Sequence, residues 1–527
     1  MKRKDINLTA SILLIVIVLI LVNMIANTKF FRIDLTAGKV FTLSKASKSV
    51  VSNLEDPVTV KVFASKNLSP QLNDVKRFLN DLLSGYDAYG KGNFHYEFID
   101  PGTDEELEKE AQDYKIPPFQ ENVWNKDQLE LKRVYLGAVF LYGADQEVMQ
   151  TIQSTAGLEY NITSIIKRIT AQQDMKIGYL TGHGESSPFE DMKQANSILE
   201  SNYKITTIDL SMEDEIPPDV NTLLIITPQT EIPDADKLKI DQYLMKGGTI
   251  GWFYNKVHAD LQNGQANQLP LKIDAWTQGY GFRVNDDIVA DMKSGMINIQ
   301  ERRGFFTIQN TVNYYFFPVL NAFNKNHEIT QNIEVIATFF PSSIDTTSPG
   351  HGVTITPLMF SSDKALVETG QYNINAMRKF VPAEFDRAGI PLAAALEGSF
   401  TSYFASREIP VDEDGEPMMA KDNVIQQSPD STRMLVVGEG NFLKDQFLTN
   451  PANIFLLLNA VDWLVGDTEL INLRTREVVM RPLKDLSTGQ KQVWKYFNWF
   501  LPPILVIVLG IVYWQIRRNT RKQGLGA

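Results

Sequence analysis

An α/β fold carried between two membrane-spanning helices is what this sequence predicts, and three observations carry the prediction. Apolar runs lie near both ends, Ile12–Val22 and Ile504–Tyr513. Each has its basic residues on the terminal side: Lys2, Arg3 and Lys4 before the first, and Arg517, Arg518, Arg521 and Lys522 after the second. By the positive-inside rule both termini then face the cytoplasm, and residues from about 27 to 498 lie outside. Between the runs, short segments of strand periodicity alternate with segments of helical periodicity.

A helix needs about 20 residues to cross the hydrocarbon. Ile6–Ala26 supplies that length, with Asn7, Thr9, Ser11 and Asn23 kept toward its ends. A cleaved leader is disfavoured, because Met24-Ile25-Ala26-Asn27-Thr28-Lys29 offers no good small-x-small site. The second run has aromatics at both edges, with Trp494, Tyr496, Phe497, Trp499 and Phe500 before it and Tyr513 and Trp514 at its end. That is the interfacial belt of a spanning helix. Pro502 and Pro503 are expected in its first turn, where a missing N–H costs little.

Composition narrows the function. The 527 residues are too many for one core. The net charge is −12, and the two tails hold seven basic residues against one acid, so the middle carries about −18. An acidic middle disfavours nucleic acid or anionic lipid as its ligand. With no cysteine, disulfides, thiolate metal sites and Cys nucleophiles are excluded.

Just after the first apolar run, Arg32-Ile33-Asp34-Leu35-Thr36 and Phe41-Thr42-Leu43-Ser44 alternate in polarity. Ser44 is placed to cap a helix over Lys45–Asn53. This block reads either as a segment docking the exposed part onto a membrane partner or as a tethering linker. From Pro57 the chain reads as a first α/β domain. Val58, Val60, Val62 and Ala64 alternate as a half-buried strand, and Val75, Phe78, Leu79, Leu82, Leu83 and Tyr86 form a helical stripe. Phe94–Ile99 is a strand, Asp104–Tyr114 an acidic helix, Leu136–Tyr142 and Glu147–Ile152 a hairpin, and Leu158 to Ile169 a helix. The order β-α-β-α-β-β-α is that of a thioredoxin-like domain without its Cys pair.

A second domain starts at Met175. Lys176–Thr181 is a strand ending in Gly182-His183-Gly184-Glu185, and a helix from about Glu190 to Asn202 follows. Strands over Lys204–Asp209, Thr222–Thr227 and Thr249–Tyr254 enclose a helix over Asp234–Met245. This alternation implies a parallel, doubly wound sheet, which binds ligands at the carboxyl ends of its strands. Trp276–Phe282 reads as a helix ending at Gly279 or Gly281, Phe305–Phe317 is aromatic-rich, and Arg407–Ser428 reads as an exposed or disordered loop. Met434–Val437 and Asn453–Leu464 are expected to return to the second sheet, making residues 340–430 an insertion.

The chemistry-bearing motifs are few. The five histidines, His95, His183, His258, His327 and His351, show no metal-ligand spacing, and neither a P-loop nor a Gly-x-Ser-x-Gly elbow is present. No metal or cofactor is expected. The loop Thr181-Gly182-His183-Gly184-Glu185 is the one candidate ligand or partner site: its glycines admit a ligand close to the backbone, and Glu185 is near enough to orient the His183 ring. With Ser186 and Ser187 beside it, a hydrolase site is conceivable. A tight strand-to-helix turn is preferred, because spacing specifies no nucleophile or second base.

Several of these blocks together resemble a known family. The segment Arg32-x-Asp34-Leu35-Thr36 with Phe41-Thr42-Leu43-Ser44, then Leu158-Glu159-Tyr160-Asn161-Ile162-Thr163 and Tyr179-Leu180-Thr181-Gly182-His183-Gly184-Glu185, are similar to blocks of the gliding-motility ABC-transporter auxiliary proteins, the GldG family. So are Val436-Val437-Gly438-Glu439-Gly440 and Leu458-Asn459-Ala460-Val461-Asp462-Trp463-Leu464. The resemblance implies an accessory, substrate-binding-like membrane subunit working with a separate permease and cytoplasmic ATPase in a gliding Bacteroidota-type bacterium. It also implies an amidotransferase-like central domain, whose activity the absence of cysteine rules out.

The expected division is a cytoplasmic tail (1–10), a first span (11–27), a juxtamembrane segment (28–56) with Arg32, Asp34, Leu35 and Thr36 for docking, and a thioredoxin-like domain (57–172). An amidotransferase-like domain (173–480), a linker (481–496), a second span (497–516) and a cytoplasmic tail (517–527) follow. The expected function is a non-enzymatic accessory subunit of the bacterial inner membrane. Its main domains are periplasmic, and its partners are the permease, the ATPase, membrane lipid and a periplasmic partner or substrate. A membrane-tethered hydrolase using the Gly182–Glu185 loop and a ligand-binding receptor are the alternatives.

Overall fold

The computed structural model describes residues 42–467, 471 and 488–523, apart from 103, 126, 127, 172–174, 262, 304, 305, 347–351, 413, 414 and 449. The first expected span and Arg32, Asp34, Leu35 and Thr36 lie outside the described residues. The chain divides into two compact units, Met1–Val478 and Val479–Ala527.

The first unit opens with α1 (Lys45–Ser52), capped by the Ser44 hydroxyl, which accepts from the Ser47 N–H. Then come β1 (Val58–Ala64), α2 (Pro70–Tyr89), β2 (Phe94–Ile99) and α3 (Glu105–Asp113). The hairpin β3 (Phe119–Asn125) and β4 (Gln128–Val134) precedes β5 (Leu136–Tyr142), β6 (Asp145–Met149) and α4 (Leu158–Thr170). The strand order is β2-β1-β5-β6, with β2 parallel to β1 and β5 and β6 antiparallel in turn. The alternation of β1 explains its two faces. Val58, Val60 and Val62 pack against Leu79, Leu83 and Tyr86 of α2 and Ile162 and Ile166 of α4, whereas Phe63 points to the other face with Ala111 and Ile116. The β3–β4 hairpin was not expected from the sequence.

The second domain is built on β7 (Lys176–Thr181), α5 (Lys193–Glu200), β8 (Lys204–Asp209), β9 (Val220–Ile226), α6 (Asp234–Met245), β10 (Thr249–Phe253) and α7 (Asp274–Tyr280). Later come β11 (Val353–Phe360), β12 (Pro391–Gly398), β13 (Arg433–Val437) and α8 (Pro451–Val465). A short strand, Ala322–Phe323, β11, β12, β13, β10, β9, β7 and β8 form one sheet in that order. From β13 to β8 the strands are parallel, and β11 and β12 extend the sheet antiparallel from within residues 340–430. The central strands are apolar throughout because both faces are covered. Leu224, Ile226, Leu435 and Val437 face Leu457, Val461 and Leu464 of α8, whereas Leu223, Ile225, Met434 and Val436 face Ile240 and Leu244 of α6 and Trp276 and Tyr280 of α7.

Some elements differ from expectation. The helix after β7 is shorter, Lys193–Glu200, because loop 187–192 is tied down by its own hydrogen bonds, including Ser187 N–H to Asp191. The helix expected from Trp276 starts earlier, at Asp274, and ends at Gly281, the second of its two expected ends, in left-handed conformation at φ 108°. Arg407–Ser428 is mostly exposed, as expected, but is tied down where described: Val411 bridges Pro417, Thr401 bridges Gln427, and Met418 and Met419 pack on a cluster of Leu238, Phe404 and Val424.

The second unit contains α9 (Thr488–Gln523), 36 residues long. Its segment Gln492–Gln515 is long and apolar enough to cross a membrane, with a mean hydropathy of 1.8. Pro502 and Pro503 are therefore not in the first turn but near the middle. The helix extends upstream because the aromatic segment is itself helical, with Trp494 against Phe497 and Tyr496 stacked on Phe500. The two prolines leave the Asn498 and Trp499 carbonyls without their helical N–H donors.

Candidate functional site

The loop from Thr181 to Glu185 sits at the carboxyl end of β7. Gly182 (φ 110°) and Gly184 (φ 79°) occupy backbone regions that favour glycine and turn the chain sharply around His183. The turn is pinned to the neighbouring strand loop, where the Gln229 and Thr230 N–H groups both donate to the His183 carbonyl, at 2.9 and 3.0 Å.

The His183 ring is buried between two carboxylates. Nδ1 lies 3.0 Å from Glu185 Oε1, and Nε2 lies 3.0 Å from Asp236 Oδ2 in the first turn of α6. The other Glu185 oxygen accepts the His183 N–H at 2.7 Å. Burial opposes protonation of the ring, but the bonds to Asp236 and Glu185 outweigh it and raise its pKa to about 9. At neutral pH His183 is an imidazolium with both nitrogens donating. Such a ring clamps two loops; it has no lone pair with which to abstract a proton.

The neighbouring strand ends are equally closed. Ser186 meets the hydroxyl of Thr227 at 2.5 Å, which holds Thr227 at a positive φ of 50°. After β13, Glu439 is fully buried and caps the next turn, accepting from the Asn441 N–H at 2.5 Å and the Phe442 N–H at 3.2 Å. Burial pushes its carboxyl up to about 8. Among the described residues no group of three or more His, Asp or Glu is arranged to hold a metal.

A second constellation joins two of the sequence blocks. Glu159, buried in the first turn of α4, accepts from the Ser44 N–H at 2.7 Å and from the Ser47 hydroxyl at 2.7 Å. Ser47 also meets the Thr163 hydroxyl at 2.9 Å, and Tyr86 reaches Thr163 at 2.5 Å. α4 is tied to the second domain at both ends: near its start the Tyr160 hydroxyl accepts from Asn202 at 2.9 Å, and in its last turn Lys167 pairs with Asp467 at 2.5 Å and Arg168 donates to the Ser201 carbonyl. One helix therefore links the segment at residue 44 to both domains. Sequence reading quoted Glu159 within a motif without giving it a role, and it missed Asp236; neither has a local spacing signal, since each partner is more than 50 residues away.

The family described as an ABC-type uncharacterized transport system matches residues 174–463, more than half of the chain. The chain belongs to this ABC transport auxiliary family. A domain of unknown function, DUF7088, matches residues 37–141, which include the Ser44 end of the α4 joint. An uncharacterized protein of Borreliella burgdorferi is 24% identical over 543 residues, covering 99% of each chain. Among solved structures, the mmIFT52 N-terminal domain is similar with a TM-score of 0.34 and 13% identity, over 55% of this chain and 96% of that one. The match of the auxiliary family runs from just before β7 to the end of α8, so the His183 clamp and the Glu439 turn both lie inside it.

Proposed function

We propose that this chain is a non-enzymatic accessory subunit of an ABC transport complex. It is held at the inner membrane by two spans, with cytoplasmic termini and periplasmic domains. Its partners are a separate permease and a cytoplasmic ATPase, whose nucleotide-driven motion it passes outward to a periplasmic partner or substrate. The observation that carries this reading is the Glu159 joint. Displacement arriving along the chain at Ser44 acts on α4 through buried, charge-assisted bonds, and α4 acts on the second domain through Lys167 and Arg168. Membership of the auxiliary family and the apolar segment Gln492–Gln515 support it.

The doubly held imidazolium of His183 supports a structural role for the Gly182–Glu185 loop and speaks against the hydrolase alternative. The finer assignments are part of the same proposal: a thioredoxin-like first domain, on its strand order, an amidotransferase-like second domain, and a gliding-motility system, on the sequence blocks alone.

Co-purification of the tagged chain with a permease and an ATPase in gentle detergent is the test. Retention of both supports the reading, and a monomer at every concentration overturns it. A reporter fused after Ala527 that is active only on the outer face overturns the topology.

A further inference from the structure

The last turn of α4 borders a cavity of about 400 Å³ whose wall comes from both domains of the first unit. Ser164 and Lys167 contribute from α4, Glu200 and Lys204 from the end of α5 and the start of β8, and Asp467 from just beyond α8. Its volume is within the range of small-ligand sites, about 300–1,000 Å³, and domain interfaces are where such sites concentrate.

Three features separate it from a packing gap. Ser164 is 6% exposed, and its hydroxyl is buried without a hydrogen-bond partner. A bound polar group would satisfy it. Both signs of charge line one small space: Lys167, Arg168 and Lys204 stand with Glu200 and Asp467, Arg168 being held by Glu147 and Lys167 paired with Asp467. An apolar flank completes the wall, formed by Ala171, Val465 and Met175, the last 44% exposed.

We propose that this cavity binds a small zwitterion, a free amino acid or dipeptide with an apolar side chain. The ligand exchanges the Lys167–Asp467 pair for two of its own: its carboxylate goes to Lys167 with Lys204 beside it, its ammonium goes to Asp467 and Glu200, and Met175 and Val465 cover its side chain. A neutral sugar is a poorer fit, because the ring of Tyr203 is buried and offers no stacking platform. Inorganic phosphate is poorer too, because Glu147 already matches Arg168 and the two lysines that remain are met by two carboxylates. Occupancy would brace α4 against the second domain.

The full chain in detergent, titrated calorimetrically with L-leucine and with L-alanyl-L-leucine, tests this, with glucose and inorganic phosphate as controls. The expected result is saturable binding of at least one zwitterion with a Kd below about 1 mM, and binding at least about tenfold weaker for both controls. Asp467→Asn and Ser164→Leu should each weaken zwitterion binding by about tenfold or more. Hydrogen exchange on the unaltered chain keeps the test decisive if a variant fails to fold: the bound zwitterion should slow exchange in residues 164–171 and 200–204 together. No saturable binding of either zwitterion up to about 10 mM, equal binding of glucose or phosphate, or protection confined to other regions would overturn the proposal.

Discussion

Ser44 donates its backbone N–H to the carboxylate of Glu159 at 2.7 Å, across 115 residues of sequence. The same oxygen accepts the Ser47 hydroxyl, so one buried acid fixes the start of α1 to the first turn of α4. Two sequence blocks that looked independent are thus halves of one joint.

Replacing Glu159 with Ala should release that joint. Two charge-assisted bonds are lost, the half-buried Ser44 N–H loses its acceptor and the Ser47 hydroxyl keeps only its hydroxyl neighbours, at a cost of about 3 kcal/mol. Hydrogen exchange at residues 45–52 should then accelerate by about a hundredfold, while β9 and β10 keep their protection. Unchanged exchange in α1 would show that the acid does not hold it.

Legibility in the sequence followed burial and locality. Val58, Val60 and Val62 alternate against solvent-side residues, and Leu223–Ile226 is apolar on both faces, so both strands show their environment in their composition. The strand β11 does not, because Pro357 sits inside it; the proline is accommodated where the register against β12 shifts between Pro357 and Met359. The pairing of β3 with β4 was hidden for another reason, since Phe119-Gln120-Glu121-Asn122 is mostly polar and the sequence joining the two strands has no glycine to signal a hairpin. At the candidate site, the Gly182-His183-Gly184-Glu185 turn was visible as a local motif. Its third member, Asp236, was not, because 53 residues separate it from His183 and only the sheet brings them together.

The His183 clamp gives stability a defined pH dependence. Its folded value of about 9 lies above the ordinary 6.5, so protonation favours the folded state. The contribution is complete below about pH 6.5 and is lost as pH rises through 9. Ring resonances followed by NMR should titrate near pH 9. His183→Ala should lose about 3 kcal/mol at pH 7, because Glu185 and Asp236 lose the cation between them and keep only the residue-183 N–H and Lys239 as partners. That penalty should shrink above pH 9.

Glu439 runs the opposite chemistry with the same sign. Burial raises its carboxyl from 4.5 to about 8, so the folded chain holds a proton that the unfolded chain releases. Stability falls as pH rises from 4.5 to 8 and is then level with respect to this group. Glu439→Gln keeps the shape and an acceptor for the Asn441 and Phe442 N–H groups. It should raise the melting temperature at pH 8 and change it little at pH 5. A variant equally destabilised at both values would mean that the group is ionised in the fold.

Gly440 permits the close approach of three strand ends. A Cβ there would lie 2.3 Å from the Phe253 carbonyl oxygen and 2.7 Å from Thr227 Cγ2. Backbone on one side cannot yield as a flexible side chain would, so Gly440→Ala should force β10 and the loop after β13 apart. A loss of about 2 kcal/mol or more is expected, read as a lower urea midpoint. Gly489→Ala, whose Cβ would meet nothing within 4 Å, is the matched control and should leave the midpoint in place.

Asp241 holds the segment after β12 onto α6. Its carboxylate accepts from the Tyr280 hydroxyl at 2.6 Å, the Ser402 hydroxyl at 2.7 Å, the Tyr403 N–H at 2.8 Å and the Gln242 amide at 2.9 Å. No cation pairs with it among those contacts; its charge is met by four donors. Asp241→Ala takes the acceptor from the Tyr280 and Ser402 hydroxyls and the Tyr403 N–H, while the Gln242 amide keeps the Ile425 carbonyl, and a loss of about 3–5 kcal/mol follows. Tyr280→Phe removes one donor alone and should cost about 1–2 kcal/mol. Because Tyr403 and Phe404 anchor the region that Met418 and Met419 cover, Asp241→Ala should also speed proteolytic cleavage within residues 405–420. Tyr280→Phe should leave the cleavage rate near that of the unaltered chain, since Ser402 and Tyr403 still reach the carboxylate. Equal cleavage rates in all three proteins would mean that the segment is held by its apolar contacts and that Asp241 serves only α7.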